Sequence, residues 1–290
     1  MVTVDRGRYT SLVDGREVVA MTARELGRRA VVVGDRVALV GDVSGGPDSL
    51  ARIVRVEPRT SALRRTADDT DPVERVIVAN ADQLAVVVAL ANPEPRTRLI
   101  DRCLVAAYDA RLDPLLVLTK ADLASPKALL DTYRPLDVPY VVTRRDEPID
   151  ELRERLHDRT TVLVGHSGVG KSTLVNALVP GAARATGRVN LVTGRGRHTS
   201  SSAVLLPLPG GGNVIDTPGI RSFGLAHVDP ARVVEAFPDL EAGTVNCPRG
   251  CSHDEPECAL DAWVADGHAD PARLASLRRL LRTRDDSEDG

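Results

Sequence analysis

The sequence predicts a multi-domain chain of the α/β class. A small N-terminal β domain is followed by a central parallel sheet with flanking helices, built around a phosphate-binding loop, and then by a zinc-binding helical domain. Three observations predict this. Apolar strands alternate with helical patterns over residues 84–164, as in βαβ units. The stretch from Gly165 to Ser172 reads Gly-x-x-x-x-Gly-Lys-Ser directly after one of those strands. Three cysteines and a histidine crowd together at Cys247, Cys251, His253 and Cys258.

The chain's 290 residues leave room for two or three domains of ordinary size. With 42% apolar and 27% charged residues it has a globular composition and is too apolar for wholesale disorder. A net charge of −3 excludes a polycation, so contact with nucleic acid has to come from a local patch. Aromatics are only 2%, which leaves Val, Leu, Ile and Ala to build the core. Basic residues number 38, of which only Lys120, Lys127 and Lys171 are lysines; the arginine excess reads as codon bias. No apolar run is long enough to span a bilayer, and the N-terminal residues lack the layout of a signal peptide. The expectation is a cytoplasmic protein without a membrane partner.

Residues 1–80 read as short β segments at 17–20, 31–40 and 50–56, split by turn signals at Asp14-Gly15, Gly34-Asp35 and 41–49. Such spacing suits a small barrel or sandwich. The polar, arginine-rich stretch 57–70 reads as a connector. From residue 84 the texture changes. Residues 84–91 form a near-continuous apolar run, expected of a strand buried on both faces. Helix 98–110, strand 114–119, helix 125–133, strand 138–143, helix 149–157 and strand 161–164 follow, then a helix at 174–179. After about residue 228 the pattern is helical, interrupted by the cysteine cluster. The expected division is 1–80, 81–228 and 229–290. Lone Cys103 sits in a helical apolar pattern and reads as an inert core thiol.

The glycines of the Gly165–Ser172 motif let backbone N–H groups turn toward phosphate oxygens at a helix N-terminus. Lys171 would reach the β- and γ-phosphates and Ser172 would ligate Mg²⁺. Asp216-Thr-Pro-Gly219 follows the apolar pair Val214-Ile215. Its carboxylate suits a water-mediated Mg²⁺ contact, and the Gly219 N–H suits the γ-phosphate. Thr119-Lys-Ala-Asp122, at the end of a strand, resembles the Asn-Lys-x-Asp motif that reads guanine, with Thr in place of Asn. A carboxylate at Asp122 accepts from guanine N1–H and N2–H₂, a donor pair adenine lacks, which disfavours an ATP enzyme. Lys120 would lay its stem along the base. The segment Gly194-Arg-Gly-Arg-His-Thr-Ser-Ser-Ser202 has the composition of a switch loop. There Thr199 is the choice for the second Mg²⁺ ligand, Ser200 the runner-up, and His198 the internal candidate for catalysis. Arg195 and Arg197 are free to stabilise charge or to contact phosphate or RNA. Ile220 stands where a glutamine orients water in Ras-like enzymes, so the intrinsic rate should be low. Cys247-x₃-Cys251-x-His253-x₄-Cys258 supplies three thiolates and an imidazole, a closed set for one structural zinc ion, with His268 in reserve.

The base motif precedes the phosphate motif, the reverse of ordinary GTPases, and in this the chain resembles the circularly permuted GTPases. Val141-Val-Thr-Arg144 takes the place of their fifth motif. Gly34-Asp35-Arg36-Val37, Arg59 through Arg64, the GHSGVGKST, GRGRHT and DTPG segments and the Cys₃His cluster together resemble the ribosome small-subunit-dependent GTPase A family of bacteria. The resemblance implies an N-terminal OB-like β-barrel, a central circularly permuted P-loop GTPase and a zinc-binding helical domain. It implies a Mg²⁺-dependent, GTP-hydrolysing, late-stage assembly factor of the 30S ribosomal subunit, stimulated by the subunit and contacting 16S rRNA as a monomer. It implies GTP and GDP held by Thr119, Lys120, Asp122, Leu123, Gly165, His166, Ser167, Gly168, Val169, Gly170, Lys171, Ser172, Thr173, Asp216 and Gly219. Mg²⁺ would sit on Ser172, Thr199 and, through water, Asp216. Lys171, His198 and Thr199 would carry catalysis. The rival from another class is a zinc-containing RNA-binding module that uses guanine nucleotide as a structural ligand with little turnover.

Overall fold

The computed structural model describes residues 1–5, 7–26, 31–66, 74–181, 203–217, 224–225 and 227–285. Five strands come first: β1 (Thr3–Asp5), β2 (Arg8–Val13), β3 (Arg16–Thr22), β4 (Val37–Gly41) and β5 (Ala51–Val56). They pair in the order β1-β2-β3-β5-β4, with β3 and β5 parallel and the other pairs antiparallel. Tyr9, Val18, Ala20, Val31, Ala51 and Ile53 form the core of this small sheet. The stretch 31–40 contributes strand only from Val37, because Gly34 and Asp35 turn the chain before it.

The arginine-rich connector contains a strand after all. β6 (Ala62–Arg65) pairs antiparallel with β7 (Arg75–Ala79). Its alternation of apolar and charged residues is too short to stand out among the arginines. Here the first sheet is fastened to the rest. Fully buried Asp35 accepts from Arg59 Nε at 2.7 Å and Nη2 at 2.8 Å, and from the Val32 N–H at 2.8 Å. Gly34, at φ +89°, lies so near β7 that a Cβ would fall 1.9 Å from the Ala79 carbonyl oxygen. Only glycine fits there.

The central strands are β8 (Gln83–Ala89), β9 (Asp113–Thr119), β10 (Tyr140–Val142), β11 (Thr160–Val164), β12 (Val204–Pro207) and β13 (Asn213–Asp216). They run in the order β10-β9-β8-β11-β13-β12, all parallel except β12. The pairing of Thr3 with Val204 joins β1 to β12, so the two sheets form one eleven-stranded sheet. Every residue of β8 is buried, as its apolar run predicts. Leu84, Val86 and Val88 face α1 (Thr97–Asp109), α2 (Lys127–Tyr133) and the C-terminal helices. Ala85, Val87 and Ala89 face α3 (Asp150–Leu156) and α4 (Lys171–Leu178). The alternation is the period of two that puts successive side chains on opposite faces.

The C-terminal helices are α5 (Pro230–Glu235), α6 (Pro238–Glu241), α7 (Ala259–Ala265) and α8 (Pro271–Asp285). Leu274, Leu277, Leu280 and Leu281 of α8 enter the same core as Leu104 of α1, so this region is packed onto the central sheet. Buried Asp101 on α1 is paired with Arg279 of α8 at 3.0 Å, and buried Arg102 donates to the Thr283 carbonyl at 3.1 Å. Both polar side chains are satisfied across the helix interface, as burial requires.

Candidate functional site

The residues singled out in the sequence for nucleotide binding collect at the carboxyl ends of the parallel strands, where open α/β sheets bind ligands. Thr119 ends β9, Gly165 follows β11 and Asp216 ends β13. The loop 165–170 leads into α4, whose N-cap is Gly170 at φ +94°. Gly165 is required by close approach, since a Cβ there would lie 2.5 Å from the Val87 carbonyl oxygen. Val169 is buried under the loop and anchors it, while Ser167, Gly168, Ser172 and Thr173 are exposed and His166 is half-buried. Backbone donors at the start of α4 thus face solvent, ready for an anion.

Lys171 is largely buried and donates to Asp216 Oδ1; its Nζ also lies 3.4 Å from the Thr217 carbonyl oxygen. The two charged residues on which phosphate and Mg²⁺ chemistry rests are therefore already side by side. The Thr217 hydroxyl donates to the Leu163 carbonyl at 2.7 Å, closing β13 onto β11 where their ladder ends.

On the other side, the Thr119 hydroxyl donates to the Val169 carbonyl at 2.6 Å. Lys120, at φ +59°, donates its Nζ to the Asn92 carbonyl in the loop after β8. Asp122 and Leu123 are exposed. The Ala121 N–H donates to the Thr143 carbonyl at 3.3 Å, and the Thr143 N–H to Leu118 at 2.7 Å, so the 141–144 segment borders the base motif. Asn92 and Thr217 are the residues that motif reading alone did not single out. Thr217 sits inside the DTPG motif, where its hydroxyl was the available signal; Asn92 carried none. His198, Thr199, Ser200, Arg195, Arg197, Gly219 and Ile220 lie outside the described residues.

Packed on the core that the C-terminal helices share, Cys247, Cys251, His253 and Cys258 bring their ligand atoms within 4.8 Å of one another. Cys247 Sγ is 3.7 Å from His253 Nδ1 and 3.9 Å from Cys258 Sγ, and Cys258 Sγ is 3.9 Å from the same nitrogen. Bonds of about 2.3 Å to sulfur and about 2.0 Å to nitrogen make tetrahedral edges of roughly 3.5–3.8 Å, so the cluster fits one zinc ion. The loop is held by α8. Arg278 donates Nε to the His253 carbonyl at 2.8 Å and grips Asp261 with both Nη atoms at 2.8 Å. These hydrogen bonds hold the Asp261 carboxyl below its ordinary range. Arg282 pairs with Asp254 of the same loop at 3.0 Å. His268 is outside the cluster. It stacks on Trp263 with ring centroids 3.9 Å apart, which leaves His253 as the fourth ligand.

Comparisons with known proteins bear on the family and the fold. The sequence model of the family described as RsgA GTPase matches residues 56–226. The small ribosomal subunit biogenesis GTPase RsgA of Pseudomonas aeruginosa is 42% identical over 262 residues, covering 87% of this chain and 75% of its own. The Azotobacter vinelandii protein of that name is also 42% identical over 262 residues, covering 87% and 74%. The crystal structure of YjeQ from Thermotoga maritima superposes with a TM-score of 0.70 at 27% identity, over 98% of this chain and 96% of that one. YloQ, described as a circularly permuted GTPase, superposes with a TM-score of 0.67 at 24% identity, over 98% and 93%, and speaks to the fold alone.

Proposed function

This chain belongs to the RsgA GTPase family and is a GTP hydrolase, and we propose that its turnover is Mg²⁺-dependent, serves late assembly of the 30S ribosomal subunit and is stimulated by that subunit. The observation that carries the reading is the junction of three motifs. The guanine-type loop at Thr119–Asp122 is tied to the phosphate loop at Val169, and the phosphate-loop lysine lies against Asp216.

In this reading Asp122 accepts the paired guanine donors and Lys120 lines the base. Leu123, exposed beside Asp122, adds apolar cover. The amides of His166 through Lys171 cradle the phosphates, and Lys171 turns from Asp216 to the β- and γ-oxygens. Ser172, Asp216 and Thr199 form a hard oxygen donor set that fits Mg²⁺. When bound, that ion neutralises charge developing on the phosphate oxygens. Thr173 and the Gly219 N–H complete the set around the phosphates. His198 orients the attacking water, a task Ile220 lacks the polar atoms for, so unaided hydrolysis is slow. The segments 1–80 and 229–290 present contacts to 16S rRNA, and the zinc ion holds the Cys247–Cys258 loop in shape. The division at 80 and 228 is supported by the separate core of the first sheet, although Val33, Leu63 and Val78 pack into the central one. A monomer in the cytoplasm suits this role, and among the described residues no helix is long and apolar enough to cross a membrane.

The test is phosphate release from GTP and from ATP, titrated with purified 30S subunits. Slow GTP turnover that rises with subunit, and none with ATP, is expected. A flat response to the subunit would remove the assembly reading and leave a GTPase of another purpose.

A further inference from the structure

The phosphate loop is bracketed by two buried threonine hydroxyls, one on each limb. Thr217, only 3% exposed, holds the entering limb at the Leu163 carbonyl, two residues before the loop's first glycine. Thr119, 5% exposed, holds the leaving limb at the Val169 carbonyl, one residue before Gly170. They come from the ends of β13 and β9, on opposite sides of the β8–β11 pair from whose end the loop rises. Gly170 lies directly over Thr119, with its Cβ position 3.7 Å from Thr119 Oγ1 and 3.9 Å from Cγ2. At such depth the Thr119 hydroxyl serves the loop, and the base is left to exposed Asp122. The two ends differ in what else they touch. Thr217's own carbonyl receives Lys171 Nζ, and its neighbour is Asp216. Thr119's carbonyl instead accepts the Leu90 N–H at 3.0 Å, which ties it to the loop after β8.

We infer that Thr119 and Thr217 are positioning residues that fix the phosphate loop from its two limbs. Thr119 sets how well the loop's amides converge on phosphate, and Thr217 sets how Lys171 and Asp216 meet the γ-phosphate and Mg²⁺. The inference rests on the nucleotide-site reading above and gives its two halves separate signatures. For each lost buried hydrogen bond an effect of about tenfold is expected.

The experiment uses the full chain with valine, alanine or serine at each position, since valine keeps threonine's shape without its donor. Thr119→Val should weaken GDP and GTP alike, about tenfold, while the preference for GDP over XDP and the half-saturating Mg²⁺ stay as in the parent. Thr217→Val should keep the GDP affinity measured in EDTA within about twofold, lower kcat about tenfold and raise half-saturating Mg²⁺. Alanine should repeat each pattern and serine should restore it. A changed GDP-to-XDP preference in Thr119→Val would overturn the inference by making Thr119 a base contact. So would lowered melting temperatures with unchanged nucleotide and Mg²⁺ constants, which would mean that the hydroxyls serve stability alone. Failure of serine to restore either pattern would also overturn it. If the parent chain binds no GDP, the nucleotide reading itself falls, a result separate from all of these.

Discussion

The nucleotide site and the cysteine cluster are built by opposite means. Around the phosphate loop, the backbone is set by buried parallel strands: β8 and residues Thr161–Val164 of β11 are wholly buried, and the loop's partners are carbonyls and hydroxyls at strand ends. The chain from Cys247 to Cys258 has no helix or strand, and what orders it is four ligand side chains plus Arg278 and Arg282 reaching over from α8. One site is a consequence of the core. The other lies at the edge of the core, where Cys258 is buried and Cys247 and Cys251 pack against it, and its order comes from a ligand set that fits one zinc ion. Substitutions in the first should therefore damage chemistry before stability, and in the second local stability before chemistry.

The largest expected effect is on the second site. Structural zinc contributes on the order of 10 kcal/mol to the folding of small loops. Cys251→Ser with Cys258→Ser should abolish zinc retention, measured by metal analysis, and expose the 247–258 loop to proteolysis. Because α8 keeps Leu274, Leu277, Leu280 and Leu281 in the central core, and the nucleotide loop takes its hydrogen bonds from strand ends and, among the described residues, none from the cluster, GDP affinity should stay within about threefold. A collapse of nucleotide binding would mean that the two regions share one cooperative fold. The converse experiment is Lys171→Ala, which should lower GTP hydrolysis by about three orders of magnitude through lost charge stabilisation, with zinc content and melting temperature unmoved. Asp122→Asn should cost GTP affinity about a hundredfold and transfer preference to XTP, whose 2-oxo group accepts from the amide, a swap read by competition binding.

How much of this was legible in the sequence follows the same divide. The β8 run and the Gly165–Ser172 motif announced the central sheet because both depend on local patterns, apolar continuity and glycine spacing. The four ligands were legible because thiolates and imidazole at short intervals suit few other purposes. The first sheet was read only in part. β1 is only three residues long, and in β2 the outward positions mix Arg8, Thr10 and Leu12 while buried Tyr9 and Ser11 alternate too briefly to stand out. β6 was hidden by its arginines. Pairings between distant segments, such as Thr3 with Val204 or Asp35 with Arg59, leave no local trace, since either partner alone reads as an ordinary surface residue.

The smallest expected effect sharpens the contrast at a single side chain. Arg278 belongs to α8, which the central core fixes, yet its guanidinium serves the metal loop: one donor goes to the carbonyl of the ligand His253 and two go to Asp261 on α7. Its side chain is 18% exposed against 50% for Asp261, so solvent screens part of the attraction, and the planar fork matters more than the charge. Arg278→Ala should speed zinc release to a chelator about tenfold, in keeping with about 1–2 kcal/mol for charge-assisted hydrogen bonds at a partly exposed site. Arg278→Lys should recover little of it, because an ammonium cannot span the His253 carbonyl and both Asp261 oxygens together. GTP turnover by the isolated chain should not change in either variant. Full recovery with lysine would mean that charge alone steadies the loop. An unchanged release rate with alanine would assign the loop's order to the four ligands by themselves, and the reach of α8 across it to packing rather than support.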